Sequence, residues 1–269
     1  MDTQLLIALL ALGAFVGLMA GLLGIGGGGI MVPMLTSVFL WQEMPVDQVV
    51  HLALGTAMAS IMVTSFSSLR AHHKKGGVHW PVVKAMTPGI LIGTLLTTYL
   101  VANLNAIFLA GFFSFFMFCA AVQMFIDAKP PATRGLPSKA MLALAGSGIG
   151  GISALVSIGG GVLSVPYLHW HNVDIKKAIG TSSALGFPIA LSGTLGYIIN
   201  GWNHSSDIQY AVGFIYLPAF FCVAAVSVFF APLGVKLNYK LPVGIIKKIF
   251  GILLFLLSIK MFLSVFSAS

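Results

Sequence analysis

Two short glycine runs carry the chemistry available to this sequence. Residues 24–35 read GIGGGGIMVPML and residues 157–168 read SIGGGVLSVPYL. A constant offset pairs Gly26, Gly27 and Gly28 with Gly159, Gly160 and Gly161, and Pro33 with Pro166. Gly24 faces Ser157 and Gly29 faces Val162, so the two runs are similar without being equivalent. Inside a helix glycine costs ~1 kcal/mol relative to alanine and proline ~3 kcal/mol, so each run predicts a break. A helix restarting after a break presents up to about four unsatisfied N–H groups at the positive end of its dipole. Glycines let an anion come close to that backbone. The candidate binding groups are therefore the amides of Gly26, Gly27, Gly28 and Gly29 and of Gly159, Gly160 and Gly161. Thr56, Ser60, Thr181, Ser182 and Ser183 on the segments that follow would add hydroxyl donors.

Other chemistry is missing. All six Asp and Glu lie in loops or at the N-terminus, which removes the intramembrane carboxylate that usually relays protons or sodium. There is no His-Glu-x-x-His, Gly-x-Ser-x-Gly, Walker lysine or carboxylate pair, so neither an enzyme nor a bound metal or cofactor is expected. Cys119 and Cys222 stand alone in apolar segments and read as small buried hydrophobes. His51, His72, His73, His79, His169, His171 and His204 lie in or beside loops and read as solvated or interfacial side chains. The upstream glycines, Gly13, Gly17 and Gly21, and Gly146 and Gly150 with Ala154, recur at four-residue spacing and predict helix-packing faces.

The elements that must position these groups are membrane helices. Apolar residues make up 58% of the chain, charged residues 7%, and the mean hydropathy is +1.01. A soluble domain carries roughly 25% charged residues. Four apolar segments are expected in each half, beginning with Leu5–Leu40 and Met141–His169, and each can cross a core that takes ~20 residues. Val49–Leu69, Val83–Leu100 and Ile107–Ile126 complete the first half. Ala178–Ile199, Tyr210–Ala231 and a segment ending near Phe266 complete the second. Ala53, Gly55 and Thr56 recur as Ala178, Gly180 and Thr181, and Pro88 is paired with Pro218. Residues 1–126 and 140–269 thus read as two homologous repeats joined by a hydrophilic cytoplasmic linker, 127–139.

The net charge of +8 comes from lysines and arginines gathered in loops, with Lys260 the exception. That is the positive-inside pattern rather than a nucleic-acid surface. Loops near 70–84, 127–139, 170–177 and 232–248 are basic, whereas those near 41–48, 101–106 and 200–209 hold no Lys or Arg. One arrangement satisfies every loop: each glycine-broken stretch enters and leaves on one side as a hairpin, with three full crossings beside it. An odd crossing number inverts the halves, an arrangement common among secondary transporters. A parallel pair of four-crossing halves is the alternative.

GLLGIGGGGIMVPML and ALVSIGGGVLSVPYL resemble the TauE/SafE family of membrane permeases, also called the toluene sulfonate uptake permease family. Ala53–Thr56, Ala178–Thr181 and the Gly77-Val78-His79-Trp80 approach to Pro88-Gly89 support the likeness, which covers nearly the whole chain. The resemblance implies secondary transport of small sulfur-containing anions, such as sulfite, sulfonates or sulfoacetate, across the bacterial inner membrane, with export the expected direction. The partners it implies are that anion and the lipid bilayer, and a homodimer is left open. A passive anion channel, an uptake permease for another anion and a non-transporting subunit of a sulfur-metabolising complex are the alternatives.

Overall fold

The computed structural model describes residues 3–24, 26–126, 135–204 and 208–266. Its elements are α1 (Thr3–Leu23), α2 (Gly28–Trp41), α3 (Val46–Lys74), α4 (Trp80–Ala102), α5 (Ala106–Ile126), α6 (Lys139–Val156), α7 (Gly161–Trp170), α8 (Ile175–Gly201), β1 (Ala211–Val212), β2 (Ile215–Tyr216), α9 (Leu217–Lys240) and α10 (Val243–Phe266). Seven of the described helices are long and apolar enough to span a membrane. Residues 127–134 of the expected linker lie outside the described residues. Ser138, at its far end, caps α6 by accepting from the Met141 amide.

Each glycine-broken segment is two helices. α2 has 14 residues and α7 has 10, or about 21 and 15 Å of helix, too short for a ~30 Å hydrocarbon core. Both fold back on the arm that precedes them. A methyl group at Gly27 would collide with Val16, and one at Gly160 would sit 3.6 Å from the Ile149 side chain. The returning helices therefore begin well inside the protein.

Small residues let the long arms sink against the opposite half of the chain. Gly13, Gly17 and Gly21 of α1 lie against the backbone of Val223, Ser227 and Ala231 of α9. Gly146 and Gly150 of α6 lie against Met86 and Ile90 of α4, while Gly89 and Gly93 of α4 face back at Ala143 and Ser147. Contact positions rise together along both pairs, so the paired helices run parallel. α3 and α8 cross at the centre, each largely buried.

This packing sorts the helix ends. The loop after α2, the α4–α5 turn and the β1–β2 hairpin share one end; these loops hold Glu43 and Asp47 and no Lys or Arg among the described residues, while Lys260 lies apart on α10 with its Nζ 3.6 Å from the Met34 sulfur. His51 joins those loops there, with Nε2 3.1 and 3.0 Å from the Val101 and Leu104 carbonyls. Arg70, Lys74, Lys75, Lys84, Lys139, Lys176, Lys177, Lys236 and Lys240 gather at the other end. The first hairpin opens on the end of the lysine-free loops and the second on the basic end. Trp41, Trp80, Trp170 and Trp202 are exposed at helix ends, where their amphipathic rings suit an interface.

Several expectations are corrected. The segment read as Tyr210–Ala231 is a short hairpin followed by α9, because Tyr210 and Gly213 take positive φ and Pro218 sits in the first helical turn. α9 then continues to Lys240 and α3 to Lys74, since lysine and arginine stems stay in the helix while their heads reach water. Pro81, in the first turn of α4, occupies the place that Pro218 holds in α9, whereas Pro88 lies inside α4. His51 and His72 are buried and hydrogen-bonded rather than solvated. Cys119 is exposed on α5 rather than buried.

Candidate functional site

The tips of the two hairpins meet at the centre. Gly24, Gly26 and Gly27 take φ of 70°, 73° and 80°, and Ser157 and Gly160 take 44° and 78°. These left-handed values cost a residue with a Cβ about 1–2 kcal/mol, which is why the turns are built of glycine. Ser157 is the exception, and its hydroxyl is held by donating to the Leu54 carbonyl at 2.8 Å. A Cβ on Gly26 would come 2.9 Å from the Gly159 Cα, and one on Gly28 would strike the Ser157 carbonyl. The two turns touch through bare backbone.

Gly27 and Gly160 are the N-caps of α2 and α7, and neither cap has a side-chain hydrogen bond. The Gly27 carbonyl accepts from Ile30 and Met31, and that of Gly160 from Leu163 and Ser164. Among the described residues no acceptor meets the amides of Gly27, Gly28, Gly160, Gly161 or Val162. These donors sit at helix N-termini, where the dipole favours negative charge. Ser153, one turn from the end of α6, adds a buried Oγ without a partner, 3.8 Å from where a Gly160 Cβ would stand.

Beside the turns lies a crevice too tight for a water-sized sphere. The backbone of Gly24, Gly26, Gly159 and Gly186 and the side chains of Ser65, Ser68 and Ser183 line it. Ser68 Oγ donates to Ser183 Oγ at 3.2 Å, and Ser65 Oγ to the Met62 carbonyl at 3.3 Å. Among the described residues no carboxylate and no lysine or arginine borders this space. It can offer neutral donors to an anion and no competing negative charge.

The other hydroxyls singled out in the sequence hold the frame. Thr56 Oγ1 accepts from the Tyr216 amide, and Thr181 Oγ1 from the His79 amide, both at 2.9 Å. Each thus ties the core helix of one half to the loop leading into α9 or α4 of the other. Gly55 and Gly180, one residue earlier, admit the carbonyls of Phe214 and Gly77. Ser60 Oγ bonds back to the Thr56 carbonyl at 2.9 Å. Ser182 accepts from Ser164 at 2.7 Å and donates to the Gly24 carbonyl at 3.1 Å, clamping the first turn. Gly29 faces Leu254 and Met117, away from the crevice.

The hairpin arms are anchored in matching ways. His72 Nε2 lies 3.3 Å from the Gly21 carbonyl, and Tyr197 donates its hydroxyl to the Ala154 carbonyl at 2.8 Å. Gly26, Gly28 and Gly159 are therefore at the junction, with Gly27, Gly160 and Gly161 capping the half-helices. Ser65, Ser68, Gly186 and Ser153 escaped the sequence reading. Only their polarity inside apolar segments marks them, and many serines share that. Among the described residues no three His, Cys, Asp or Glu side chains gather as a metal site.

A family model described as sulfite exporter TauE/SafE matches residues 9–261 of the chain. A protein of Haemophilus influenzae named a probable membrane transporter is 34% identical over 265 residues, covering 98% of this chain and 100% of that one. A similarly named protein of Methanocaldococcus jannaschii is 27% identical over 244 residues, 88% of each chain. Another, of Bacillus subtilis, is 25% identical over 245 residues, 88% of this chain and 95% of its own. No solved structure matches.

Proposed function

Since the chain belongs to the TauE/SafE family of membrane transporters, we propose that it is a secondary permease for a small sulfur oxyanion, sulfite or an organosulfonate. The anion binds where the two hairpin tips meet. The observation that carries this reading is the contact of two glycine turns whose half-helix amides have no acceptor among the described residues. Desolvating an anion is tolerable only where donors replace its water, and backbone N–H groups at a helix N-terminus do so without a counter-charge. Ser65, Ser68, Ser183 and Ser153 supply hydroxyls around them.

In this reading 1–126 and 140–269 are inverted repeats. The crossed Thr56 and Thr181 bonds and the opposed openings of the hairpins support it. The tight crevice then corresponds to an occluded arrangement, and rocking of the halves would open the junction to each side in turn. The basic end faces the cytoplasm of a bacterial cell, in its inner membrane, and transport is export. The family model's own description, sulfite exporter, favours that direction and substrate.

The test is sulfite efflux from proteoliposomes holding the purified protein, with taurine and sulfoacetate as competing substrates. Saturable efflux that is lost in Gly26→Ala and weakened in Ser183→Ala, both still folded, is the expected result. Absence of flux for every sulfur anion tried would defeat the assignment.

A further inference from the structure

Away from the junction, α3 and α9 enclose a groove of about 520 Å³ at the basic end. Its mouth carries Arg70 and Lys74 of α3, Lys75 at that helix's C-terminal cap and Lys236 of α9. Toward the membrane interior the floor is Val63, Phe66, Val228 and Pro232. From Val63 to Lys74 the helix rises about 16 Å, so the groove is cationic at one end and apolar along its length. Phe66 is exposed in it, and the Arg70 guanidinium lies 5.7 Å from the centre of its ring. Ser67 Oγ donates to the Val228 carbonyl at 2.8 Å and fixes the spacing of the two helices.

The four cations have no acidic partner among the described residues. Glu43 and Asp47 lie at the opposite end, and Asp174 is engaged in capping α8 through the Lys176 and Lys177 amides. Clustered like charges are held more easily when an anion sits among them. A free inorganic anion would satisfy the mouth and leave the apolar floor unused. An amphiphile matches both.

We propose that this groove binds an anionic phospholipid of the adjacent leaflet. Its phosphate lies among Arg70, Lys74, Lys75 and Lys236, and one acyl chain runs along Phe66, Val228 and Pro232. Basic clefts between membrane helices on the cytoplasmic side suit such head groups, and each cation strengthens the attraction severalfold.

The test is native mass spectrometry of the full chain titrated with phosphatidylglycerol or phosphatidylcholine. Two variants remove the same charge: Arg70→Gln with Lys236→Gln in the groove, and Lys84→Gln with Lys139→Gln at the same end outside it. The groove pair is expected to bind phosphatidylglycerol roughly 30-fold more weakly, with the control pair and phosphatidylcholine binding unchanged. Equal losses in both pairs would mean a diffuse basic surface and overturn the proposal. Competition by glycerol 3-phosphate as effective as the lipid itself would overturn it too, by making the groove a vestibule for soluble anions. If the double variant does not fold, Lys236→Gln alone is measured. About a fivefold loss is expected from it, and an unchanged affinity refutes the site.

Discussion

Replacing Gly26 by alanine tests the hairpin junction at its tightest point. Gly26 has φ of 73°, and an added Cβ would lie 2.9 Å from both the Gly159 Cα and the Ile61 Cγ2. Alanine in the left-handed region costs about 1–2 kcal/mol. Forcing one carbon into a packed contact costs typically 1–3 kcal/mol. The neighbour on one side is backbone, which cannot rotate away, so the turns must separate. Together these give a loss of about 2–5 kcal/mol concentrated at the junction. Gly148→Ala is the matched control, because nothing lies within 4 Å of its added Cβ. In that helix alanine is favoured by ~1 kcal/mol. The assay is detergent melting temperature alongside sulfite efflux from proteoliposomes. Gly26→Ala should melt lower and lose efflux, while Gly148→Ala keeps both. Unchanged KM and kcat in Gly26→Ala would refute the idea that close contact of the two turns builds the site.

Thr56→Val and Thr181→Val each orphan a loop amide while keeping the side-chain shape. A loss of about 1–3 kcal/mol of stability is expected for each, with the KM for sulfite unchanged; a raised KM without destabilisation would make these threonines ligands. Ser153→Ala removes a buried hydroxyl without a partner, so melting without anion should hold or rise. If the second turn contributes to binding, its KM for sulfite increases severalfold, and an unaltered KM would assign the site to the first turn alone. Asn103→Cys and Lys75→Cys, in a background without Cys119 and Cys222, report sidedness. A membrane-impermeant maleimide added outside intact cells should label the first and reach the second only after permeabilisation.

Much of the architecture was legible because its causes are local. Runs of apolar residues interrupted by few charges require a membrane, and consecutive glycines ahead of a proline require a broken helix wherever they fall. The distribution of lysine and arginine then left hairpins as the arrangement consistent with every loop. Gly26 and Gly159 could be found this way because bare backbone is needed whatever packs beside it. The small residues of α1 and α6 were equally readable as contact faces.

The identity of the lining side chains was not available from the sequence. In a soluble helix polarity marks the outward face, but a membrane helix has apolar surroundings on every side, so its pattern does not say which face turns inward. Thr56 and Thr181 read as donors to an anion, and nothing in the sequence signalled that their oxygens also accept from the amides of Tyr216 and His79, more than a hundred residues away. Ser65 and Ser68 looked no different from other serines until α3 and α8 crossed and brought them beside Ser183 at the two turns. Sequence by itself determined where the backbone must break and favoured one sorting of the helix ends over a parallel alternative, since both follow from residue type. Only the tertiary structure decided that the two breaks touch and which hydroxyls remain beside them, because that depends on how helices distant in the chain rotate and pack.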